Sequence, residues 1–379
     1  MTSEVRPLLE QLVAIDSVNP DLARNGVGES EIATFVADWL ASRGLTVELQ
    51  ETDRSGRPNV IATVPGSGGG RALMLNGHLD TVGLEVMPDG LVPRVVGDRL
   101  YGRGASDMKG GLAALMLAAG DVATMGLRGD VILTAVADEE FASIGTTAVV
   151  KDHRADAAIV AEPTSLAVGL AHKGFVWLEV DTEGTAAHGS LPDVGVDAIA
   201  KMGPILVGLE GLGRRLAESE GHPLLGTGSI HASLIEGGHE VSTYPAHCRL
   251  TVERRTVPPE IEPDVLAEIE RLIADARRGD PALRASVRTT FSRRWLDGRP
   301  DQPIAQALMR SYEEDTGRRP DVAGLGYWTD AAILAAAGIP AIVFGPHGVG
   351  HHGATEWVDL PSVEVCRQVV AKVATDFCG

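Results

Sequence analysis

Residues 73–111 are LMLNGHLDTVGLEVMPDGLVPRVVGDRLYGRGASDMKGG, and this stretch decides the fold that we predict. Its apolar start is typical of a buried strand, which brings His78 and Asp80 to the point where the strand stops. A second acid, Asp107, follows in a glycine-rich turn just before a helix-like apolar segment. A histidine and two carboxylates in this arrangement are the parts of a metal site or of an acid and base pair.

The surrounding sequence alternates short apolar strands with helical patterns as far as about residue 173. This alternation predicts an α/β fold with a mainly parallel sheet flanked by helices. In such sheets, ligands bind at the carboxyl ends of the strands. His78 and Asp80 follow one predicted strand, residues 138–140 (Asp-Glu-Glu) follow the next, and Glu162 follows a third. We therefore expect these side chains to converge on one edge of the sheet.

Between residues 174 and 291 the pattern changes to strand, helix, two strands, helix and strand. This order is typical of an α+β sandwich and predicts an inserted domain with its own small sheet. Helix and strand patterns resume after it. We therefore predict a discontinuous catalytic domain, residues 1–173 and 292–379, interrupted by the domain of residues 174–291. A chain of 379 residues has the length expected for two domains.

The composition limits the partners and the compartment. Lysine and arginine number 33 against 52 acidic residues, and the formal net charge of -19 disfavours nucleic acid and anionic membranes as partners. We find no apolar run that could span a bilayer, and the first residues lack the pattern of a signal peptide. The three cysteines are too few and too scattered for a disulfide framework, which favours a reducing compartment. These features predict a cytoplasmic protein.

The acidic edge of the predicted sheet needs a cation. Carboxylates this close would repel one another, and most could ionise only beside a positive charge. Histidine and carboxylates without cysteine suit zinc, cobalt or manganese. A two-metal site needs about five protein ligands, one of them shared. The segment GPHGVGHHGATEW, residues 345–357, follows a further apolar strand and supplies His351 and His352 at the same edge.

Each of these residues alone has a simpler explanation. Asp107 could cap the helix that follows it, and a histidine or a glutamate at a strand end could be structural or solvated. Ser106 and Ser143 lack a partnered base, which disfavours a serine nucleophile. Taken together, however, the loops supply a chemically complete site, and a metal site is our prediction.

Eight segments of the chain, in order, carry a family resemblance: GHLDTV, YGRGASDMKGG, DEE, AEPT, HKG, AAHGS, the GG…P…ERR segment and GPHGVGHHGATEW. The chain resembles the dinuclear-zinc metallopeptidases that include acetylornithine deacetylase, succinyl-diaminopimelate desuccinylase, aminoacylase and the bacterial glutamate carboxypeptidases. The resemblance covers almost the whole chain. It implies a zinc-peptidase-like catalytic domain, an inserted lid that also forms a homodimer, and two divalent metal ions, zinc or alternatively cobalt or manganese.

The resemblance also implies a set of metal ligands. His352 is favoured over His351 because the family pattern places its histidine four residues before a glutamate, here Glu356. One of the five ligands would be shared by the two ions. The implied set is His78 and Glu162 for one metal, Glu140 and His352 for the other, and Asp107 as the bridge.

Three further residues would serve catalysis on this resemblance. Asp80 would hold the metal-bound His78 in orientation. Glu139 would be the general base that takes a proton from the metal-bridging water and returns it to the leaving amine. His188 would reach the oxyanion across the dimer.

Two residues of the insertion would contact the substrate. Arg255 matches the arginine that pairs with a substrate carboxylate, for which a planar two-pronged donor is well shaped. Ser242, three residues before Pro245, departs from the family, which often has asparagine there. The shorter side chain leaves open which oxyanion or carboxylate contacts it makes.

We therefore predict a metal-dependent amidohydrolase that deacylates N-acyl amino acids, with acetylornithine deacetylation as the leading example. A succinyl-diaminopimelate desuccinylase, a carboxypeptidase or a dipeptidase is the alternative within the family, because these enzymes share the metal motifs. A non-catalytic metal-binding protein is a further alternative, against which Glu139 argues, since binding alone needs no base. The expected partners are a small N-acyl amino acid or short peptide and a second copy of the chain.

Overall fold

The structure, a computed structural model, describes residues 4–379 and divides into two compact units. The first unit comprises the chain up to Leu170 with Gly298–Ala323 and Thr329–Gly379, and the second comprises Ala171–Asp297 with Gly324–Trp328. The second unit thus extends beyond residues 174–291 at both ends and gains a short segment from further along the chain. Residues 1–3, with which the predicted catalytic domain begins, lie outside the described residues.

Both units contain α-helices. No helix within residues 4–379 is both long enough and apolar enough to cross a bilayer. A five-residue π-helical turn, Ala105–Lys109, leads into the third helix. The α-helices are α1 (Val5–Ala14), α2 (Ser30–Ser42), α3 (Gly110–Val122), α4 (Ile144–Asp152), α5 (Ala198–Ala217), α6 (Glu262–Gly279), α7 (Pro303–Thr316), α8 (Ala331–Ala336) and α9 (Leu360–Cys378).

The strands of the same residues form three sheets. They are β1 (Thr46–Gln50), β2 (Asn59–Val64), β3 (Leu73–His78), β4 (Arg94–Val96), β5 (Arg99–Tyr101), β6 (Val131–Val136), β7 (Ala157–Val160), β8 (Val168–His172), β9 (Gly174–Glu183), β10 (Ser229–Gly237), β11 (His247–Thr256), β12 (Arg284–Arg293), β13 (Leu296–Asp297), β14 (Val322–Leu325), β15 (Ala341–Val343), β16 (Gly348–Val349) and β17 (Trp357–Asp359).

The main sheet of the first unit is mixed. Its strand order is β1-β2-β6-β3-β7-β15-β8, in which β6, β3, β7 and β15 run parallel. β1, β2 and β8 pair antiparallel with their neighbours. The predicted α/β fold is confirmed, whereas parallel pairing is confined to the centre of the sheet. The connection from β1 to β2 is residues 51–58, which is too short for the helical crossover that a parallel pair requires.

The stretch 73–111 supplies the centre of the core. All six residues of β3 are buried, as expected for a strand of a parallel centre that is covered on both faces. α3 is apolar on every side, and it is buried from Gly110 to Ala119 while it packs against α9 and α1. Gly111 allows this helix to approach the strand ends, because a Cβ atom there would lie 1.9 Å from the carbonyl oxygen of Ala161.

The second unit is built on an antiparallel sheet with the strand order β10-β11-β9-β12. β9 and β11 alternate buried with less buried residues, which is typical of strands that have one covered face. Their buried side chains pack against α5 and α6 in a separate apolar cluster. The predicted α+β insertion is therefore confirmed.

Candidate active site

Three predicted metal ligands and the predicted base lie at the carboxyl ends of the parallel strands of the first unit. His78 is the last residue of β3, Glu139 and Glu140 lie in the loop after β6, and Glu162 lies just after β7. β6, β3 and β7 are neighbours in the sheet, so these loops leave it along one edge. His352 lies between β16 and β17 and has φ = 59°, in the left-handed region that residues other than glycine seldom adopt.

Asp107 lies between the two histidines. Its Oδ1 atom is 3.2 Å from His78 Nε2, and its Oδ2 atom is 3.5 Å from His352 Nε2. The same His78 nitrogen lies 3.7 Å from Glu162 Oε1, and the His352 nitrogen lies 3.0 Å from Glu140 Oε2. The structure thus brings all five predicted ligands into one cluster, with a carboxylate between two separate histidine and glutamate pairs.

Two groups within this cluster have the spacing of metal ligands. Ligand atoms of His78, Glu139 and Glu162 all lie within 4.8 Å of one another, as do those of His78, Asp107 and Glu140. Glu139, the predicted base, therefore lies among the candidate metal ligands.

The donor set fits divalent cations. Glu140 Oε1 is buried and has no hydrogen-bond partner among residues 4–379, so a bound cation would satisfy it. The clustered donors are imidazole nitrogens and carboxylate oxygens, which zinc, cobalt and manganese accept. None of the donors is a cysteine.

The electrostatics of the cluster also favour a cation. Burial, together with the Asp107 carboxylate, raises the pKa of Glu140 to about 7. Burial raises the pKa of Glu162 well above its usual value, and burial with the nearby Glu162 charge does the same to the pKa of Glu139. Burial would lower the pKa of His78, but the surrounding carboxylates, Glu162 foremost, raise it well above its usual value. A divalent cation would relieve the repulsion among these acids.

Glu356 holds the turn that carries Asp107. Its Oε1 atom accepts the peptide N–H groups of Ser106 at 2.9 Å and Asp107 at 3.0 Å. Its Oε2 atom accepts from the Gly104 N–H at 3.0 Å and from Arg103 Nη1 at 2.7 Å. Both charged side chains are buried, each with only 1% of the residue exposed. Sequence reasoning used Glu356 only as a landmark in the family pattern and missed this role.

Asp80 contacts His78 mainly through its main chain. His78 Nδ1 lies 2.9 Å from the Asp80 carbonyl oxygen, whereas the nearer carboxylate oxygen lies 3.6 Å away. The carboxylate instead accepts the peptide N–H groups of Glu139 at 3.1 Å and Glu140 at 3.2 Å. The side chain of Asp80 therefore supports the glutamate pair, a role that the sequence analysis did not include.

His351 points to a different partner from His352. Its Nε2 atom lies 2.8 Å from Ser106 Oγ, so the expectation that Ser106 lacks a partnered base is wrong. Ser106 is fully buried, and its own N–H is bonded to Glu356. This pair therefore joins the two loops that carry His352 and Asp107 and does not present an accessible nucleophile.

His188 and Ser242, predicted to act at the substrate, lie in adjoining segments of the second unit. An antiparallel bridge joins His188 to Thr243, and the Gly189 N–H donates to the Ser242 carbonyl at 2.7 Å. Nδ1 of His188 lies 2.8 Å from Ser190 Oγ. The side chains of both predicted residues are exposed.

The two arginines of the ERR segment in β11 have different surroundings. Arg255 is partly exposed, donates from Nε to Glu253 Oε1 at 2.7 Å, and lies over the ring of Phe175 at 5.3 Å. Arg254 is fully buried and pairs with Glu260 and Glu268. Arg255 is thus the arginine of this segment that a ligand can reach.

Asp330 is a buried acid that sequence reasoning missed. Its Oδ2 atom accepts from Thr146 Oγ1 at 2.6 Å, and burial raises its pKa to about 6. Its charge helps to raise the pKa values of Glu139 and Glu162. The local Thr-Asp-Ala sequence has no metal-ligand spacing, so no sequence pattern pointed to it.

Residues 74–376 match peptidase family M20/M25/M40. This chain belongs to that family. An acetylornithine deacetylase from Myxococcus xanthus is 31% identical over 388 residues, which cover 99% of the chain and 98% of that protein. The family that the sequence motifs predicted is therefore confirmed, and with it a metal-dependent hydrolase of amide or peptide bonds.

Two solved peptidase structures share this fold. An aminopeptidase from Bacillus cereus superposes with a TM-score of 0.81 at 17% identity, over 99% of this chain and 98% of that one. A dinuclear metal-binding M20 peptidase from Bacillus subtilis gives a TM-score of 0.73 at 16% identity, over 99% and 97%. At these low identities, the similarity shows that the three chains have the same fold.

Proposed function

We propose that this M20 hydrolase removes the acyl group from N-acylated amino acids, with N-acetylornithine as the leading substrate. The observation that carries the proposal is a cluster of two histidines and several carboxylates, largely buried apart from the exposed His352, in which Glu139 stands among the candidate metal ligands. The similarity to an acetylornithine deacetylase along nearly the full length of both chains supports the choice of substrate.

In this proposal, five residues hold two divalent ions, most suitably zinc, with cobalt and manganese as alternatives. When bound, such ions polarise an amide carbonyl and lower the pKa of water. The ligands would be His78 and Glu162 for the first ion, Glu140 and His352 for the second, and Asp107 for both.

Glu139 would carry the proton. Its side chain lies beside His78 and Glu162, and its peptide N–H is fixed on Asp80. A Glu139 carboxylate oxygen would accept a proton from the attacking water and deliver it to the nitrogen of the departing amine. The amide C–N bond breaks, and the products are the free amino acid and the carboxylate of the acyl group.

Residues of the second unit would bind the substrate. We assign Arg255 to a substrate carboxylate, because its guanidinium is partly exposed and can present two parallel donors. We assign His188 to the oxyanion formed during attack, supported by its exposed imidazole. Ser242 would line the same contact surface as His188, since their segments adjoin.

We also propose that the protein is a homodimer joined through the second unit. β10 is an edge strand of its sheet, and the side chains of Leu234 and Ile235 are 63% and 53% exposed. On the neighbouring α5, Val207 is 68% exposed. An unpaired edge with apolar side chains is a surface that a second copy can cover symmetrically.

Sedimentation of the metal-loaded protein tests the dimer. Leu234→Arg should shift the equilibrium toward monomer, whereas Val92→Arg, at a 68% exposed position of the first unit, should leave it unchanged. A wild-type protein that sediments as a monomer at micromolar concentration would refute the proposed assembly.

We place the enzyme in the cytoplasm. Cys248, Cys366 and Cys378 are all buried and unpaired, which supports a compartment that keeps thiols reduced.

Hydrolysis of a substrate panel tests the activity. The chelated protein should be inactive, and reloading with zinc, cobalt or manganese should restore cleavage of N-acetylornithine ahead of N-succinyl-diaminopimelate and of dipeptides. Faster turnover of the succinyl substrate or of dipeptides would instead assign a desuccinylase or a peptidase. Full metal occupancy without turnover of any member would favour a binding protein.

A further inference from the structure

Asn19 is fully buried and contacts two acids beside the glutamate pair of the candidate metal site. Its Nδ2 atom donates to Asp80 Oδ2 at 2.8 Å and to Asp138 Oδ1 at 2.9 Å. The two carboxylates follow β3 and β6, which are neighbouring strands. The amide of Asn19 thus donates one hydrogen bond to each of two acids, which follow two neighbouring strands.

These two acids control the turn that carries Glu139 and Glu140. The Asp80 carboxylate accepts the peptide N–H of each glutamate, at 3.1 and 3.2 Å. Asp138 precedes the pair with φ = 68°, a conformation that is unfavourable for a residue with a Cβ atom and that the surrounding contacts must maintain. The position of the turn therefore depends on both carboxylates.

Asp138 has a second support that does not involve Asn19. Arg57 Nη1 donates to Asp138 Oδ1 at 2.9 Å, and Arg57 also pairs with Glu29 through Nε at 2.8 Å. Glu29 Oε1 accepts the peptide N–H of Asp138 at 3.2 Å. The Asp80 carboxylate has different side-chain neighbours: Asn19 Nδ2 donates to its Oδ2 atom at 2.8 Å, and His78 Nδ1 lies 3.6 Å from its Oδ1 atom.

We propose that Asn19 is a positioning residue of the metal site, which acts by fixing the Asp80 carboxylate and thereby Glu139 and Glu140. Without its amide, the Asp80 and Asp138 carboxylates would face each other with no shared donor. Two carboxylates that each lie within 2.9 Å of the one Asn19 nitrogen repel each other, and without that donor Asp80 would turn away from the peptide N–H groups that it now accepts. The candidate base and a candidate ligand would then lose their fixed geometry together.

The substitutions Asn19→Leu and Asn19→Asp distinguish the effect of the hydrogen-bond donor from the effect of the side-chain volume. Leucine fills similar space without a donor, and aspartate keeps the shape while it replaces the donor by an acceptor. Thr182→Val is the matched control, because it removes a fully buried hydroxyl of the second unit whose hydrogen bonds go to the carbonyl oxygens of Ala198 and Cys248. All three variants are measured as full-length protein, metal-free and loaded with cobalt.

The measurement of kcat rests on the proposed function, whereas the cobalt titration does not. Both Asn19 variants should lower kcat about 10- to 100-fold with KM within about twofold, as expected for loss of a residue that supports metal ligands. Cobalt titration should show weaker binding of the second equivalent and an altered visible spectrum. Thr182→Val should lower the melting temperature while kcat and the cobalt spectrum stay at wild-type values.

Two results would overturn the positioning role. One is a folded Asn19→Leu or Asn19→Asp variant with wild-type kcat and cobalt spectrum. The other is failure of both variants to fold with metal bound, which would make Asn19 a folding residue. A wild-type protein inactive on every substrate would refute the proposed hydrolysis, while its cobalt titration beside those of the variants would still decide the role of Asn19.

Discussion

The metal cluster of the first unit and the candidate substrate residues of the second unit are held in contrasting ways. The side chains of His78, Glu140 and Glu162 are at most 6% exposed, although His352 is 56% exposed, and the turns that carry the acids are fixed by buried and partly buried hydrogen bonds. Arg255 is 32% exposed and has local contacts within its own sheet. Buried, interlocked groups impose geometry, whereas exposed groups are free to adapt to a ligand. The two regions should therefore respond differently to substitution.

The largest effect is expected at the candidate base. Glu139→Gln removes the proton acceptor but keeps the side-chain shape, and kcat should fall about 10²- to 10⁴-fold. Metal content, measured by atomic emission, should stay at the wild-type level. Glu140→Gln is the matched comparison and should lose metal as well as activity. Loss of metal from Glu139→Gln would identify Glu139 as a ligand, and an unchanged kcat would exclude it as the base.

The next effect concerns stability. Glu356→Ala leaves the buried Arg103 without its carboxylate and three peptide N–H groups without their acceptor. Breaking a buried ion pair in this way costs about 3–5 kcal/mol, which urea unfolding would measure. Glu210→Ala, which breaks the exposed pair with Arg214, should cost less than about 0.5 kcal/mol. An equal decrease in the free energy of unfolding of the two variants would mean that the buried contacts of Glu356 add no stability.

A smaller and different effect is expected at Arg255. Arg255→Ala should raise KM about 10- to 100-fold, since a hydrogen bond to a charged group contributes about 1.5–3 kcal/mol to binding. Its partly exposed position predicts little change in stability. Arg255→Lys tests the two-pronged contact and should recover only part of the affinity. An unchanged KM in both variants, measured with N-acetylornithine, would remove Arg255 from the substrate contacts.

The smallest effect should appear when the metal-free protein is titrated. In the folded chain, the pKa of Glu140 is raised from 4.5 to about 7, so the folded state binds its proton more tightly than the unfolded state. This contribution to stability is complete below about pH 4.5 and is lost as pH rises through about 7. The raised pKa values of Glu139 and Glu162 act in the same direction.

Thermal unfolding at intervals from pH 5 to pH 8 would measure this effect. The melting temperature with chelator should fall across the range, and saturating zinc should remove the fall or reverse it. A metal-free melting temperature that rises between pH 5 and pH 8 would show that the acids are not repelling one another in the folded state.

The sequence predicts the part of the site that lies in local patterns. Apolar strands that end in His78, in the Asp-Glu-Glu loop and in Glu162 can be recognised because each strand and its polar end are contiguous in the chain. The antiparallel edges of the sheet follow from connection lengths and strand pairing, and the prediction of a mainly parallel sheet did not include them. Local sequence patterns thus predicted the parallel strands at the centre of the sheet but not the antiparallel strands at its edges.

The supporting contacts could not be predicted, because they join segments far apart. Glu356 meets Arg103 across 253 positions, and Asn19 meets Asp138 across 119. Asn19 precedes a proline, a pairing that is typical of a turn and has no metal signature. Ser106 and His351 likewise become partners only in the folded chain. A single sequence shows candidate ligands and leaves hidden the residues that hold them in place.

β15 has a consequence for how the protein is made. This strand, Ala341–Val343, lies between β7 and β8 in the interior of the sheet, although both of those neighbours precede residue 173. A ribosome must therefore translate the chain as far as residue 343, through the second unit, before the centre of this sheet can close. Asp107, Glu140 and Glu162 are synthesised well before His352. The complete set of candidate ligands therefore exists only after the second unit has been made.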